Sequence, residues 1–596
     1  MMNARALALW FNATMVLAAP SFLALAIAGT DSVSAAASCL AISLVSAGLL
    51  AILTRTWRAF FLAYAPLLLV SPVYVWYAAA FGQFPDDNAF VVALTSSTEE
   101  ISAFLTMMRL WPLLAVCGLA FILYCAGALY LGEAAMPGWL RRGATLTSIP
   151  IVCSAVLLPT SGTAERYAAD IADRMQLYLS NTYPFGGVVT LVVGSIGAAK
   201  TMGHAANKVP YGASIARPDA VSDTHILVIG ESARYDAFHI NGYARPTSPH
   251  LEALTELVSY HAAFAPANLT TFAVPMLMTG IDPEQYRPDR IHGSIVDAAR
   301  ESGYQTAWLS NQEVQVAQIF SPRVDSWHLA ADLERSGPDR TRPDEILLPL
   351  LRQELEKPAP RKFIVVHAYG SHWDYAKRLP NGAFRFSNLS REGSRGFFGG
   401  GRPEQERHDI YDDTIAYTDW FLAQIVGQMK AQSGRATVTY VSDHGESFGY
   451  IDGISGHGLP KFSLAEAQVP LLFWANATFI SDRQDQWQNI ISRSDAPFRA
   501  EWLFDTLGSM LGLTFHELNP YHDLTSRNYR APSSVAEMTL LAGGKLVPLT
   551  NAVNWNAGAI SANAVKRRLA DDARTAQQRP SAHLSTRAKT TPATKD

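Results

Sequence analysis

Five short apolar runs in the second part of the chain do most to fix its fold: His225–Ile229, Gln305–Leu309, Lys362–Val366, Thr437–Val441 and Val469–Trp474. Each has the length of a strand buried on both faces, and the intervals between them leave room for helical or long-loop crossovers. Strands spaced in this way pair most simply in parallel, with helices covering both faces of one sheet. The spacing therefore predicts an α/β domain with a mostly parallel sheet over residues 221–565. Gln405–Lys430 reads as an amphipathic helix and residues 384–403 as a long loop. After about Lys566 almost no large apolar residue remains, which predicts a disordered tail over 566–596.

In an open α/β sheet the ligand crevice lies beyond the carboxyl ends of the strands. Glu231 follows the first run in GES, and His367 and His372 follow the third in HAYGSH. Asp443 and His444 follow the fourth in SDHGES, with His457 in a downstream HG. Carboxylates and imidazoles are zinc or manganese donors, and imidazole favours zinc. Thiolates are excluded, because Cys39, Cys117, Cys125 and Cys153 all lie in the first 160 residues. Taken singly these residues have ordinary explanations: a packed histidine, a surface-facing glutamate, and, for Thr270 or Thr271 at the start of TTFAVPMLMT, a helix N-cap. The functional alternative for the threonine is a nucleophile at a helix N-terminus, its hydroxyl made acidic by a metal.

The first 160 residues differ in kind, with five apolar stretches near the roughly 20 residues that cross a bilayer: 6–29, 35–53, 59–81, 110–131 and 143–158. Arg5, Arg55, Arg58, Arg141 and Arg142 mark one set of connections, whereas Asp31, Asp86, Asp87, Glu99 and Glu100 mark the other. The positive-inside rule then puts the N-terminus in the cytoplasm and, after five crossings, the soluble domain outside. Residues 161–220 read as bridging and interfacial helices; Phe185–Ala199 is apolar but short and Gly-rich, and were it a sixth span the soluble domain would face the cytoplasm. A formal net charge of −4 carries no nucleic-acid footprint.

GES after the first run, a threonine five residues before Pro275, GSH at Gly370–His372, and SDHGES with its downstream HG and Pro460 together resemble the phosphoethanolamine transferases of Gram-negative envelopes, members of the alkaline phosphatase and sulfatase superfamily. NGYARPTSPHL, YDDTIAYTDWFL and VPLLFW add to the likeness. The resemblance implies a five-helix transmembrane domain in the bacterial inner membrane and a sulfatase-like α/β/α catalytic domain in the periplasm. It implies Thr270 as the nucleophile that becomes phosphorylated, in preference to Thr271, and Glu231, Thr270, Asp443 and His444 as ligands of one tightly bound Zn2+. His372 and His457 would contact the substrate phosphate or a second metal, Glu100 in SSTEEISAFL would hold the donor headgroup, and His367 is structural. The donor implied is phosphatidylethanolamine, the acceptor lipopolysaccharide (lipid A or core) or another envelope glycan, and the enzyme a monomer among membrane lipids. Two features depart from the family: no cysteine pair braces the nucleophile segment, and Ala103 stands where a second glutamate is expected in the donor element. Rival readings are a phosphoglycerol transferase, a sulfatase, for which SGPDR at 336–340 lies too late in the chain, and a non-catalytic metal-stabilised membrane protein.

Overall fold

The computed structural model describes residues 33–65, 110–130, 134–157, 209–287, 291–312, 317, 319–320, 322–330, 343–380, 383, 385–387 and 404–556, with 9–11, 14–15, 18–19, 22, 75 and 77. Glu100, the segment 185–199, SGPDR and the tail 566–596 lie outside the described residues, as do most of the expected spans 6–29 and 59–81.

Among the described residues, the helices α1 (Val33–Leu53), α2 (Leu110–Tyr130) and α3 (Gly138–Leu157) precede the sheet domain, and residues 57–65 are helical as well. The first two match expected apolar stretches. Among the residues whose side chains are described, no helix is long and apolar enough to cross a membrane. The third begins five residues ahead of the expected 143–158, and its Arg141, read from sequence as part of a connection, lies within the helix. There the guanidinium donates to the carbonyls of Ala51 (3.1 Å) and Ile52 (3.1 Å), satisfying acceptors that the end of α1 leaves unpaired.

The soluble domain is built on seven strands: β1 (Asp223–Gly230), β2 (Leu257–Tyr260), β3 (Gln305–Ser310), β4 (Ser326–Leu329), β5 (Arg361–His367), β6 (Arg435–Ser442) and β7 (Leu471–Ala475). Their order across the sheet is β2-β7-β6-β1-β5-β3-β4. All five predicted runs are strands, and β6, β1, β5, β3 and β4 are mutually parallel. The fifth run pairs antiparallel with β6, and β2 pairs antiparallel with it in turn. It also starts later than expected, at Leu471, because Pro470 has no N–H to give to a ladder. The four-residue strands β2 and β4 have no counterpart in the sequence reading; both lie at sheet edges and are only partly buried, so neither leaves a strong apolar run.

Successive residues of a strand point to opposite faces, and β1 shows it directly. Leu227 and Ile229 enter a core with Val274 and Leu277 of α4 (Thr270–Thr279), Ile295 and Ala298 of α5 (Ile295–Glu301) and, C-terminal to them, Phe504 and Leu507. Ile226 and Val228 enter a second core with Leu347 and Leu351 of α6 (Leu347–Glu356) and Ile415, Leu422 and Ile425 of α7 (Glu404–Lys430). The result is a three-layer α/β/α domain whose central strands, β6, β1 and β5, end together at one edge, with Ile229 opposite both Val441 and His367.

Candidate active site

Parallel register alone brings the first two carboxylates together. Gly230 pairs with Ser442, so the next residues of the two strands are Glu231 and Asp443. Between them the chain turns sharply at Ser232, which has φ 54, a conformation few non-glycine residues adopt. In that turn the Ser232 N–H donates to Asp443 Oδ1 (3.1 Å) and its hydroxyl donates to Glu231 Oε1 (2.7 Å).

The helix α4 delivers the third group from its first residue. Thr270 Oγ1 donates to Glu231 Oε2 (3.0 Å) and lies 3.2 Å from His444 Nε2. These hydrogen bonds run to Thr270 and not to Thr271. The other ring nitrogen of His444, Nδ1, is 2.8 Å from the Gly445 carbonyl and must carry its proton there. Nε2 is therefore left with a lone pair facing Glu231 Oε1 (3.4 Å) and Asp443 Oδ2 (3.4 Å). Asp443 Oδ2 is buried without a hydrogen-bond partner. A buried carboxylate oxygen in that state is costly unless a cation meets it.

Those distances suit a metal. Donors about 2.0–2.1 Å from a tetrahedral zinc stand about 3.3 Å from one another, and the separations above fall between 3.0 and 3.4 Å. Donor atoms of Glu231, His444 and His457 also lie within 4.8 Å of one another.

The electrostatics agree. Burial pushes Glu231 up to about 7, with the charge of Asp443 adding to the shift. Burial likewise raises Asp443 to about 6, and lowers His444 to about 4 with help from the charge of His457. A divalent cation is the group that would reverse the carboxylate shifts. His457 behaves oppositely: burial works against its charge, yet the Glu446 carboxylate, 3.2 Å from Nδ1, holds it up at about 9. Its ring lies 4.3 Å from that of His444 and 6.3 Å from that of His372. His372 is thereby brought to the rim of the site, its Nδ1 tied to the Trp373 carbonyl (2.7 Å), and burial drives its pKa well down. His367 stays apart, edge-on to Trp308 at 5.9 Å and lowered to about 3 by burial.

Two glycines in the motifs have steric reasons. Gly370 has φ 50, and a Cβ there would meet the backbone N and O of Glu231 at 2.9 Å. A Cβ on Gly445 would lie 2.0 Å from the Ala465 carbonyl oxygen.

Several supporting residues escape sequence reading. Gln312 Nε2 donates to Glu231 Oε2 (2.9 Å), and its only sequence signal is its place just beyond the Gln305–Leu309 run. Glu446 fixes His457, and Asn268 holds the buried Glu466 (2.8 Å) beside it. The Asn268 contact joins segments 198 residues apart, whereas Glu446 and His457 lie 11 residues apart in the SDHGES stretch and its downstream HG.

Residues 223–513 match the Sulfatase family. Among curated proteins the chain is 28% identical over 278 residues to a putative transferase, YhbX, of Escherichia coli K12, covering 45% of this chain and 46% of the relative. It is 24% identical over 325 residues to phosphoethanolamine transferase EptC of the same strain, covering 52% and 54%. The aligned part thus spans about half the length of these relatives. Among solved structures it is similar to the integral membrane lipooligosaccharide phosphoethanolamine transferase A of Neisseria meningitidis, with a TM-score of 0.61 and 17% identity over 89% of this chain and 97% of that one. The C-terminal periplasmic domain of Escherichia coli EptC has a TM-score of 0.50 at 20% identity, over 58% of this chain and 98% of that one. Residues 223–513, which span the strand ends carrying Glu231 and Asp443, thus form a Sulfatase-family domain, and over about half its length the chain is similar to phosphoethanolamine transferases.

Proposed function

We propose that this chain moves phosphoethanolamine from phosphatidylethanolamine to a hydroxyl or phosphate of an envelope glycolipid, lipid A or core, through a phosphorylated Thr270. The observation that carries the reading is the Thr270 hydroxyl at the first residue of α4, 3.0 Å from Glu231 and 3.2 Å from His444, two groups held by neighbouring strand ends. In the first step Thr270 Oγ1 attacks the phosphodiester phosphorus, giving its proton towards Glu231 Oε2. The new Oγ–P bond forms as the bond from phosphorus to the glyceryl oxygen breaks, and that oxygen takes a proton from His457, which Glu446 keeps cationic, and leaves as diacylglycerol. In the second step an acceptor O–H gives its proton back to His457 and attacks the same phosphorus, the bond to Thr270 breaks, and Thr270 Oγ1 regains its proton from Glu231.

Glu231, Thr270, Asp443 and His444 would hold Zn2+, which when bound makes a coordinated hydroxyl more acidic and neutralises phosphate oxygens. His457, kept cationic by Glu446, and His372 at the rim offer further contacts for the phosphate. The amide end of α4 faces the same space with its positive dipole. Glu100 is retained as the residue for the donor headgroup.

Five membrane crossings, with the sheet domain in the periplasm, complete the reading: a lipid donor must reach a site just above the bilayer. Transfer of ethanolamine-labelled phosphatidylethanolamine to lipopolysaccharide tests it, using the wild-type full chain and Thr270→Ala. Label should appear in lipopolysaccharide only with wild type; equal transfer by both proteins excludes Thr270, and transfer of labelled phosphoglycerol instead favours the rival donor.

A further inference from the structure

We infer that Tyr411 is the positioning residue of the metal centre, a role that rests on the proposed ligand set. Its phenol oxygen lies behind the Glu231 turn, where it accepts from the Arg234 N–H (2.8 Å) and donates to the Ser232 carbonyl (2.7 Å). One hydroxyl thus clamps both ends of the three-residue segment 232–234. Ser232 is the residue at φ 54, and its N–H and hydroxyl are what orient Asp443 and Glu231. A left-handed serine costs free energy and persists only where its surroundings hold it. Tyr411 is fully buried, and its ring is fixed independently by Tyr375 (5.2 Å) and Phe448 (5.1 Å). One turn on along α7, Thr414 Oγ1 is hydrogen-bonded to Ser371 Oγ (2.8 Å), and the Ser371 N–H donates to the Glu231 carbonyl (2.9 Å). The helix therefore grips the first ligand from both sides, and the phenol is the contact that sets the strained turn.

Outer groups that orient metal ligands are worth about tenfold to a hundredfold in metal affinity or activity. Tyr411→Phe keeps the ring contacts and removes only the clamp. Tyr304→Phe is the control: that buried tyrosine donates to the Leu511 carbonyl (2.7 Å) at the opposite edge of the sheet. Zinc affinity of the full chain, measured by competition with a chromophoric chelator, should weaken about tenfold to a hundredfold in Tyr411→Phe and be unchanged in Tyr304→Phe, although both melt at lower temperature. In the transfer assay kcat should fall by a similar factor with KM within about twofold. Zinc affinity equal to wild type in Tyr411→Phe overturns the inference, as does an equal loss in Tyr304→Phe. A wild-type chain that binds zinc but transfers nothing defeats the proposed function and leaves the zinc result to decide the role of Tyr411, and a wild-type chain that binds no zinc overturns both.

Discussion

Gly370 is an exacting residue position for the site, because it is the Glu231 backbone itself that leaves no room for a side chain. Gly370→Ala must both enter the left-handed region and displace a proposed ligand, so stability should drop by about 1–3 kcal/mol in thermal unfolding. Zinc binding should weaken with it, whereas a variant that binds zinc normally would show that the loop yields without moving Glu231. The paired carboxylates make a second expectation at this scale. If they hold zinc in the folded chain alone, adding zinc at about a hundredfold above its Kd should stabilise the metal-free chain by about 2.7 kcal/mol through mass action. No change in melting temperature with zinc would contradict the ligand set.

Among the elements, α7 does more than cover a face of the sheet. Tyr411 and Thr414 reach the site, Asp413 accepts from the N–H groups of Arg385 (2.6 Å) and Phe386 (2.6 Å), and Asp419 accepts from His250 N (3.0 Å) and Leu251 N (2.8 Å). Burial outweighs those last two bonds and raises Asp419 to about 6, with His250 lowering it and Glu252 raising it. A carboxyl whose folded pKa lies above its unfolded 3.8 contributes stability that is fully present below about pH 4 and is lost as pH rises through about 6. The stability advantage of wild type over Asp419→Asn, followed by thermal unfolding, should therefore shrink between pH 4 and pH 7. An advantage that grows over that interval would reverse the assignment. The same helix marks the limits of sequence legibility. Its amphipathic pattern announced it within one residue at the N-terminus, and the long buried strands β1, β5 and β6 announced themselves by unbroken apolar runs. The edge strands β2 and β4 did not, since partly exposed four-residue strands need little apolar patterning. At the site, Glu231, Asp443 and His444 were legible because each stands just beyond a readable strand, whereas Gln312 and Tyr411 act through contacts between distant segments that no local pattern encodes.

At the scale of the whole molecule, the proposed function requires one orientation. By the positive-inside rule it would put the N-terminus in the cytoplasm and the strand-end edge of the sheet that carries Glu231 and Asp443 outside it. In spheroplasts, protease added from outside should digest the domain over 221–565 and leave N-terminal apolar fragments protected. Digestion only in inverted vesicles would mean an even number of crossings and would bring 185–199 back as a sixth span.

The proposed transfer turns on a covalent bond to one hydroxyl. Incubating the purified full chain with phosphatidylethanolamine, without acceptor, and measuring peptides spanning 265–279 by mass spectrometry should reveal a phosphoethanolamine adduct on Thr270. Acceptor should discharge it, and Thr270→Ala should abolish it. An adduct on Thr271, or turnover of donor with no adduct on either threonine, would contradict the account.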